Sequence, residues 1–184
     1  MKNLDIDKEK VFENFKKNLN SGRAVATGIG IFLGIFKNKE ILLRLREEKD
    51  SLYGKDLSGK FELIGGGVEI KDFEEDYITV IINVIERELE EEAGLKFKKS
   101  LGLIPLLPAW LLKNNLIDLA FVTLVRWENI EETNEFKEKL SKGSVRFFNT
   151  LGLGKVNFIS PRMKFLAGQA SSFKEYIESL TPKN

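Results

Sequence analysis

Two segments near the start of the chain have the apolar patterns of β-strands. Residues 24–36, AVATGIGIFLGIF, form an apolar and β-branched run, and residues 41–46, ILLRLR, alternate between faces. Asn38 marks a turn between them, so the pattern predicts two strands joined by a short connection. In the second strand, alternation predicts one buried face and one partly polar face. The first face carries Ile41, Leu43 and Leu45, and the second carries Leu42, Arg44 and Arg46.

Further strands follow a polar, glycine-bearing loop at residues 47–60. The segment FELIGGGVEI, residues 61–70, predicts a short strand interrupted by three consecutive glycines. Glycines in a row allow positive φ angles and let the backbone approach a ligand closely. Residues 100–112 and 116–127 predict two more strands around a turn, and SVRFFNTL, residues 144–151, predicts another strand or a docking segment.

Helical patterns occur at both ends of the chain and in one charged internal stretch. Apolar residues at helical spacing predict a short amphipathic helix at residues 7–19. Residues 130–140 predict a charged helix. Near the end of the chain, Ser160 has the properties of an N-cap and Pro161 those of a first helical residue, which predicts a final helix over residues 160–180.

The segment from Tyr77 to Ala93 combines strand-like composition with helical spacing. Its β-branched residues favour a strand, but its apolar residues recur at i, i+3, i+4, i+7 and i+11, which predicts one face of a helix. Gly94 then stands where a helix C-cap belongs. Apolar residues beside this stripe widen the apolar surface, and a second copy of the chain in a homodimer is a candidate cover for it. The stripe is Ile78, Ile81, Ile82, Ile85 and Leu89, and the residues beside it are Tyr77, Val80 and Val84.

The order of these elements predicts a mixed α/β sandwich. A chain of 184 residues, 42% of them hydrophobic, is long enough for one well-packed core, so we expect a single domain over residues 1–184. The first helix, within residues 1–22, and the last helix, residues 160–180, are expected as extensions of this domain.

Composition excludes several kinds of chemistry. The chain contains no cysteine and no histidine, which excludes disulfides, cysteine nucleophiles, histidine bases and the usual zinc sites. With 29 basic and 28 acidic residues, the net charge of +1 provides no extended surface for nucleic acid or for an anionic membrane. We find no signal peptide and no apolar run of roughly 18 residues, so we expect a cytoplasmic protein with no membrane partner.

Four glutamates are concentrated in the stretch RELEEEAGL, residues 87–95. On a helix, Glu88, Glu91 and Glu92 stand at i, i+3 and i+4, which gathers their carboxylates on one face. This crowding is unfavourable, because like charges repel at these spacings and a helix C-terminus disfavours anions. A hard divalent cation such as Mg²⁺ or Mn²⁺ would neutralise the cluster. A solvated acidic turn is the alternative.

The same stretch resembles the second half of the Nudix box, whose pattern is arginine, glutamate, aliphatic, any residue, two glutamates, any residue, glycine, aliphatic. Residues 87–95 match it at every specified position. Upstream, Gly65 and Gly66 at the end of a strand, followed by Glu69, fit the first part of the box. The sequence is therefore similar to Nudix hydrolases over about residues 24–166.

The spacing within the box differs from the family pattern. Gly66 and Arg87 are 21 positions apart, which is seven more than the box allows. Counting forward from Gly66 places the first box glutamate on Asp72, and counting back from Arg87 places it on Thr79. Neither residue is a glutamate. The candidate replacements for the missing carboxylate are Asp72, Glu74, Glu75 and Asp76.

The resemblance implies a Nudix-like α/β/α sandwich with a mixed sheet. It also implies that the protein is a hydrolase. The substrate would be a nucleoside diphosphate linked to another moiety, and water would attack phosphorus with the help of Mg²⁺ (or Mn²⁺). The resemblance further implies that Glu91 and Glu92 are metal ligands, that Glu88 is a ligand or base, and that the Gly66 carbonyl is a further ligand.

The remaining site residues follow from the same resemblance. Arg87 would orient Glu88 or Glu91 through a charge-assisted bond. Gly65 and Gly66 would approach the substrate through their backbone. Arg44 and Arg46 would meet substrate phosphates, with edge-strand charges as the alternative.

Two questions stay open in the sequence. The general base varies in this family, and Glu131, Glu132 and Glu135 are candidates, with a solvated helix face as the alternative. The seven extra residues also leave a second function open, that of a Nudix-fold binding or regulatory module that holds a nucleotide or diphosphate sugar without cleaving it. The pattern does not specify the substrate.

Overall fold

The structure is a computed structural model that describes residues 29–47, 51–52, 55–72, 77–98, 106–113 and 116–180. The two first predicted strands are β1 (Ile29–Lys37) and β2 (Glu40–Leu45), which are antiparallel around a tight turn. Asn38 lies in this turn with a φ of 57°, a left-handed conformation that asparagine tolerates. The other strands of the main sheet are β5 (Phe61–Glu62), β6 (Ile64–Gly67), β8 (Leu106–Lys113), β9 (Leu116–Arg126) and β11 (Val145–Asn149). Two small sheets pair β3 (Ser51–Leu52) with β4 (Lys55–Asp56) and β7 (Leu95–Phe97) with β10 (Ile130–Glu132).

The main sheet is mixed and has β1 at its centre. Its order is β11, β2, β1, β9, β8, with β5 paired to β2 and β6 paired to β1. Strands β1 and β9 are parallel, and the other neighbours are antiparallel. Strand β1 is buried on both faces, which explains why its sequence is an almost continuous apolar run.

Three helices are described. They are α1 (Tyr77–Glu88), which continues into a π-helical turn (Leu89–Ala93), α2 (Asn134–Lys142) and α3 (Pro161–Leu180). The predicted caps are confirmed: Gly94 is left-handed with a φ of 68°, and the Ser160 hydroxyl accepts a hydrogen bond from the amide of Met163 at 3.1 Å. The charged helix predicted at residues 130–140 begins later, because residues 130–132 are strand β10 paired with β7.

The helices α1 and α3 cover opposite faces of the sheet. Val84 and Ile85 of α1 and Leu89 of the π-helical turn pack with β1 on one face, against Ile31, Leu33 and Ile35. On the other face, the buried residues of α3 pack with β2 and β9; those of α3 are Met163, Leu166, Ala167 and Ala170. A Cβ atom at Gly34 would lie 3.1 Å from the Ala170 Cβ, so this glycine allows α3 to approach β1 closely. The mixed α/β/α sandwich predicted from the sequence is confirmed.

The apolar stripe predicted for α1 is wrong at its first position. Ile78 is 48% exposed, whereas Ile85 and Leu89 are fully buried. The fully buried residues lie in the later turns of the helix and include Val84, whereas Val80 and Ile81 are half-buried against the same core. A second copy of the chain as cover for the apolar surface beside the stripe stays a prediction.

Some expectations concern residues that the structure does not describe. The predicted helix at residues 7–19 lies outside the described residues, as does the start of the first strand at residues 24–28. The single-domain expectation stays a prediction. Within the described residues, no helix has the length and apolar character needed to cross a membrane.

Candidate active site

The glycines of β6 lie against the end of helix α1. Gly65 has a φ of 140°, and a Cβ atom there would collide with the backbone of Ile31 and Phe32, so only glycine fits. Its amide donates a hydrogen bond to Glu92 Oε2 at 2.9 Å. At Gly66, a Cβ atom would collide with the Glu88 carboxylate. The two glycines therefore bring the backbone of β6 to the carboxylates of Glu88 and Glu92.

The turn that carries the glutamates is π-helical. A π turn closes through i→i+5 bonds and is wider than an α turn, so residues three apart separate further around the helix axis. Glu88 is only 5% exposed and the Glu92 side chain is 13% exposed, but the Glu91 side chain is 54% exposed. With α-helical spacing, all three carboxylates were predicted to lie on one face. The structure instead has two buried carboxylates and one at the solvent edge.

Arg87 connects Glu88 to Asp72. Its Nε and Nη2 donate to the two carboxylate oxygens of Asp72 at 3.0 and 2.8 Å, and its Nη1 donates to Glu88 Oε1 at 2.5 Å. Nη2 also donates to the Gly67 carbonyl at 2.8 Å. The Asp72 carboxylate accepts a further bond from the amide of Glu69 at 2.8 Å. Arg87 thereby ties the 3₁₀ turn at Ile70–Asp72, strand β6 and Glu88 together.

Arg44 of β2 and Arg46, which follows the end of this strand, form a second cluster with buried glutamates. Arg44 forms a close ion pair with Glu92, and its Nη1 lies 3.6 Å from Glu62 Oε1. Arg46 also pairs with Glu62, through its Nη2 at 3.1 Å. Glu62 is buried and stands directly opposite Arg44 in the pairing of β2 with β5. Both arginines are thus engaged by carboxylates of the chain.

Burial perturbs the pKa values of the two inner glutamates. Burial raises the pKa of Glu88 to about 7, and the negative charge of Glu92 adds to this shift, although Arg87 opposes it. Burial likewise raises the pKa of Glu92, against the opposing effect of Arg44 and the Gly65 amide. Burial also acts to raise the pKa of Asp72, but the bonds from Arg87 and from the Glu69 amide outweigh it and leave this pKa lowered. Burial therefore disfavours the ionised forms of Glu88 and Glu92 despite their contacts with Arg87, Arg44 and the Gly65 amide.

The ligand atoms between β6 and the end of α1 are of the types that fit a hard divalent cation. Carboxylate oxygens and backbone carbonyls are the ligands that Mg²⁺ and Mn²⁺ prefer, and Gly66 leaves the room in which Glu88 lies against β6. In the part of the chain that the structure describes, however, no three acidic side chains are gathered closely enough to hold a metal ion together. Glu88 contacts Arg87, Glu92 contacts Arg44, and Glu91 lies 3.3 Å from Lys71. Ligation of a shared ion would require these glutamates to exchange their basic partners for it.

A cavity of about 440 Å³ opens between the glutamate turn and helix α2. Arg44, Glu91 and Glu92 lie on one side of it, and Glu135 and Lys139 of α2 lie on the other. Lys139 Nζ donates to the carbonyl of Glu91 at 2.9 Å, which docks α2 onto the turn. A second cavity of about 450 Å³ is lined by Glu90, Glu131, Glu132 and Glu135, so Glu135 lies at both.

Solved structures share this arrangement of sheet and helices. The chain matches the NUDIX hydrolase from Nitrosomonas europaea with a TM-score of 0.51 at 14% identity, over 82% of this chain and 73% of that chain. The chain has the Nudix hydrolase fold. It also matches the ORF135 protein of E. coli, with a TM-score of 0.52 at 14% identity over 84% and 94% of the two chains, and an ADP compounds hydrolase, with a TM-score of 0.50 at 12% identity over 82% and 73%. No protein-family model matches the sequence, and no curated protein matches it.

Within this Nudix fold, the residues named from the sequence resemblance are partly assembled. Gly65, Gly66, Glu88 and Glu92 meet between β6 and the end of α1, while Glu91 lies at the cavity. Of the candidate carboxylates upstream, Asp72 contacts Arg87, and this is the position reached by counting forward from Gly66. Glu74, Glu75 and Asp76 lie outside the described residues.

Glu62 was not predicted from the sequence, although it lies beside Arg44 at the site of this Nudix fold. A glutamate in the short apolar strand FELI was a visible signal, but its significance depends on the register that places it opposite Arg44. Lys71 and Lys139 were also missed, because they reach Glu91 from other parts of the chain. Contacts between distant segments leave no periodic pattern in the sequence.

Proposed function

We propose that this chain is a divalent-cation-dependent hydrolase that cleaves the diphosphate bond of a nucleoside diphosphate linked to another moiety. The observation that carries the proposal is the junction of β6 and α1, where Gly65 and Gly66 meet Glu88 and Glu92 beside an open cavity. The fold is that of solved Nudix hydrolases, and one similar protein is described as an ADP compounds hydrolase. These similarities support the reaction class and leave the leaving group unspecified.

The proposal assigns the cation to Glu88, Glu91, Glu92 and the carbonyl of Gly66. When bound, Mg²⁺ or Mn²⁺ would neutralise the charge that develops on the diphosphate and lower the pKa of a bound water. Arg87 orients Glu88 through its 2.5 Å bond, and Asp72 holds Arg87 in turn, so neither need touch the substrate. The glycines let the substrate approach the backbone of β6.

Glu135 is the strongest candidate among the proposed general bases. It lies at the cavity that also contains Glu91 and Glu92, whereas Glu131 and Glu132 line the second cavity. Glu132 and Glu135 both have lysine partners, Lys37 at 3.4 Å and Lys139 at 2.9 Å, so the position at the cavity is what favours Glu135. We expect Glu135→Gln to lower kcat about 10²-fold or more, within the usual contribution of acid–base catalysis, and Glu131→Gln to change it little. Equal losses in both variants would argue against Glu135.

A substrate panel tests the proposed function. The full chain would be incubated with Mg²⁺ or Mn²⁺ and nucleoside diphosphates linked to sugars, to a second nucleoside or to further phosphates, and phosphate-containing products would be measured. We expect turnover of at least one compound and its loss in Glu91→Gln without unfolding. Glu90→Gln is the matched control, because Glu90 carries the same charge on the same exposed turn and lies at the second cavity.

The second candidate function is a binding or regulatory module that does not cleave its ligand. One observation favours it, namely that each of the three glutamates already has a basic partner within the chain. Retention of nucleotide binding, measured by calorimetry, together with no turnover of any compound in the panel would support this function against hydrolysis.

A further inference from the structure

Arg44 is the basic residue that most directly occupies the proposed cation site. It forms a close ion pair with Glu92 through Glu92 Oε1, while the other carboxylate oxygen accepts the Gly65 amide at 2.9 Å. Glu92 thus has one oxygen fixed by the backbone and one taken by a guanidinium. A cation that ligates Glu92 through Oε1 therefore competes with Arg44 for this oxygen.

Arg44 differs from Arg87 in how firmly it is held. Arg87 is nearly buried and has further donors bound to Asp72 and to the Gly67 carbonyl. Arg44 is partly exposed at the wall of the 440 Å³ cavity, and Glu62 lies 3.6 Å from its Nη1 as a second carboxylate. Arg44 can leave Glu92 without being left unpaired, since Glu62 and the cavity are both within reach.

We propose that Arg44 is a built-in counter-ion of Glu92 that a divalent cation displaces, and that the displaced guanidinium then binds an anionic group of the substrate in the cavity. This inference rests on the proposed function, because it assumes that Glu92 binds a cation. The divalent cation and the Arg44 guanidinium are both positively charged and repel each other strongly in a partly buried site. The entering cation therefore drives Arg44 away from Glu92. A guanidinium turned toward the cavity has the planar donors that suit a phosphate. Arg44 thereby couples metal binding to substrate binding.

Calorimetric titration of the full chain with Mn²⁺ alone tests the first half. We expect Arg44→Gln to bind Mn²⁺ about tenfold more tightly than the wild type, which corresponds to about 1.4 kcal/mol. Arg46→Gln is the matched control, since it removes the same charge two residues further along the chain, at a residue that pairs with Glu62. This variant should change the Mn²⁺ affinity less than about threefold. A charge that does not compete for the Glu92 oxygen acts on the cation only through longer-range electrostatic repulsion.

Titration with inorganic pyrophosphate at saturating Mn²⁺ tests the second half. We expect Arg44→Gln to bind pyrophosphate about tenfold more weakly, although it binds Mn²⁺ more tightly. Effects of opposite sign on the two ligands distinguish this role from a structural one, because partial unfolding would weaken both. Weaker binding of both ligands, or unchanged binding of both, would overturn the proposal.

Glu62→Gln provides an independent variant if Arg44→Gln does not fold. Removing the Glu62 charge leaves Arg44 with Glu92 as its nearby carboxylate and makes the site less negative, so Mn²⁺ affinity should fall severalfold. Tighter Mn²⁺ binding by Glu62→Gln would contradict the inference. Failure of the wild type and all variants to bind Mn²⁺ would overturn the proposed function and this inference together, whereas equal affinities in wild type and variants would overturn this inference alone.

Discussion

The two arginine clusters beside the glutamate turn use the same residue types for different purposes. In the first cluster, Arg87 is held by both oxygens of Asp72 and presents its remaining donor to Glu88. In the second cluster, Arg44 itself sits on Glu92, with Glu62 beside it. The first arginine is fixed by an acid outside the proposed cation site, and the second is bound to a carboxylate inside it.

Arg87 is therefore expected to support the fold, whereas Arg44 is expected to compete with a cation for Glu92. Since Asp72 satisfies most of the charge of Arg87, removing this arginine should damage the fold before it affects a cation. Arg44 neutralises a proposed ligand directly, so removing it should change ion affinity most. Variants of the first cluster are therefore expected to alter stability, and those of the second to alter binding.

The largest expected effect on stability is that of Arg87→Met. This variant keeps an apolar chain of similar length but leaves Asp72 and Glu88 as buried carboxylates without their main partner. Breaking a buried ion pair on one side costs about 3–5 kcal/mol. Urea unfolding at pH 7 measures the free energy of unfolding, and a loss below about 1 kcal/mol would show that the first cluster is not a support.

The next effect is that of Asp72→Asn, and it depends on pH. At pH 7 we expect a loss of about 1.5–3 kcal/mol, the usual contribution of a hydrogen bond to a charged group. The folded-state pKa of Asp72 is lowered, so its stabilisation is present above the unfolded value of 3.8 and is lost as the pH falls through the folded value. Urea unfolding at pH 7, 5, 4 and 3 should therefore show wild type and variant converging below about pH 4. A constant difference down to pH 3 would contradict this assignment.

Gly66→Ala is expected to have a comparable or smaller effect on stability and a clear effect on binding. Its new Cβ atom would press on the Glu88 carboxylate, which is buried and bound to Arg87, and such overpacking costs about 1–3 kcal/mol. Because Glu88 must shift, Mn²⁺ binding measured by calorimetry should weaken as well. Unchanged Mn²⁺ affinity in a folded variant would remove Glu88 from the proposed ligand set. Gly152→Ala is the control, since no atom lies within 4 Å of its added Cβ.

The smallest expected effect on stability is that of Glu91→Gln. The side chain is more than half exposed, and surface substitutions of this kind change stability by no more than about 0.5 kcal/mol. Thermal unfolding without added metal should give almost the wild-type midpoint, although the same variant should lose turnover. A large drop in the midpoint would mean that Glu91 contributes to the fold and would weaken its use as a test of function.

Predictions from the sequence were confirmed where they depend only on residues within or next to a single helix or strand. The turn at Asn38, the cap at Ser160 and the end of the glutamate helix at Gly94 were each visible in local residues, because caps and turns depend on the chemistry of a few neighbours. The exposed Ile78 was predicted wrongly, since periodicity identifies a helix face and burial depends on what packs against each turn.

The candidate site was predictable to a smaller extent. The string REUxEExGU, with U for an aliphatic residue, identified Glu88, Glu91 and Glu92, but α-helical spacing put all three on one face, and the π turn moves Glu91 to solvent. Counting alone could not decide for Asp72, because the count forward from Gly66 reaches Asp72 but the count back from Arg87 reaches Thr79. Contact with Arg87 shows that Asp72 lies where an acid can hold this arginine.

The sequence by itself determined the longer strands of the main sheet, the glutamate helix and the final helix with their caps, the mixed α/β architecture, and the glutamates that we propose as cation ligands. These properties depend on periodicity and on residues close together along the chain, so one sequence is sufficient to infer them. Only the tertiary structure decided which basic residue each acid meets. Arg44 reaches Glu92 across 48 positions and Arg87 reaches Asp72 across 15, and such pairs are set by sheet register and helix docking. The balance of charge at Glu88 and Glu92 is therefore a property of the fold.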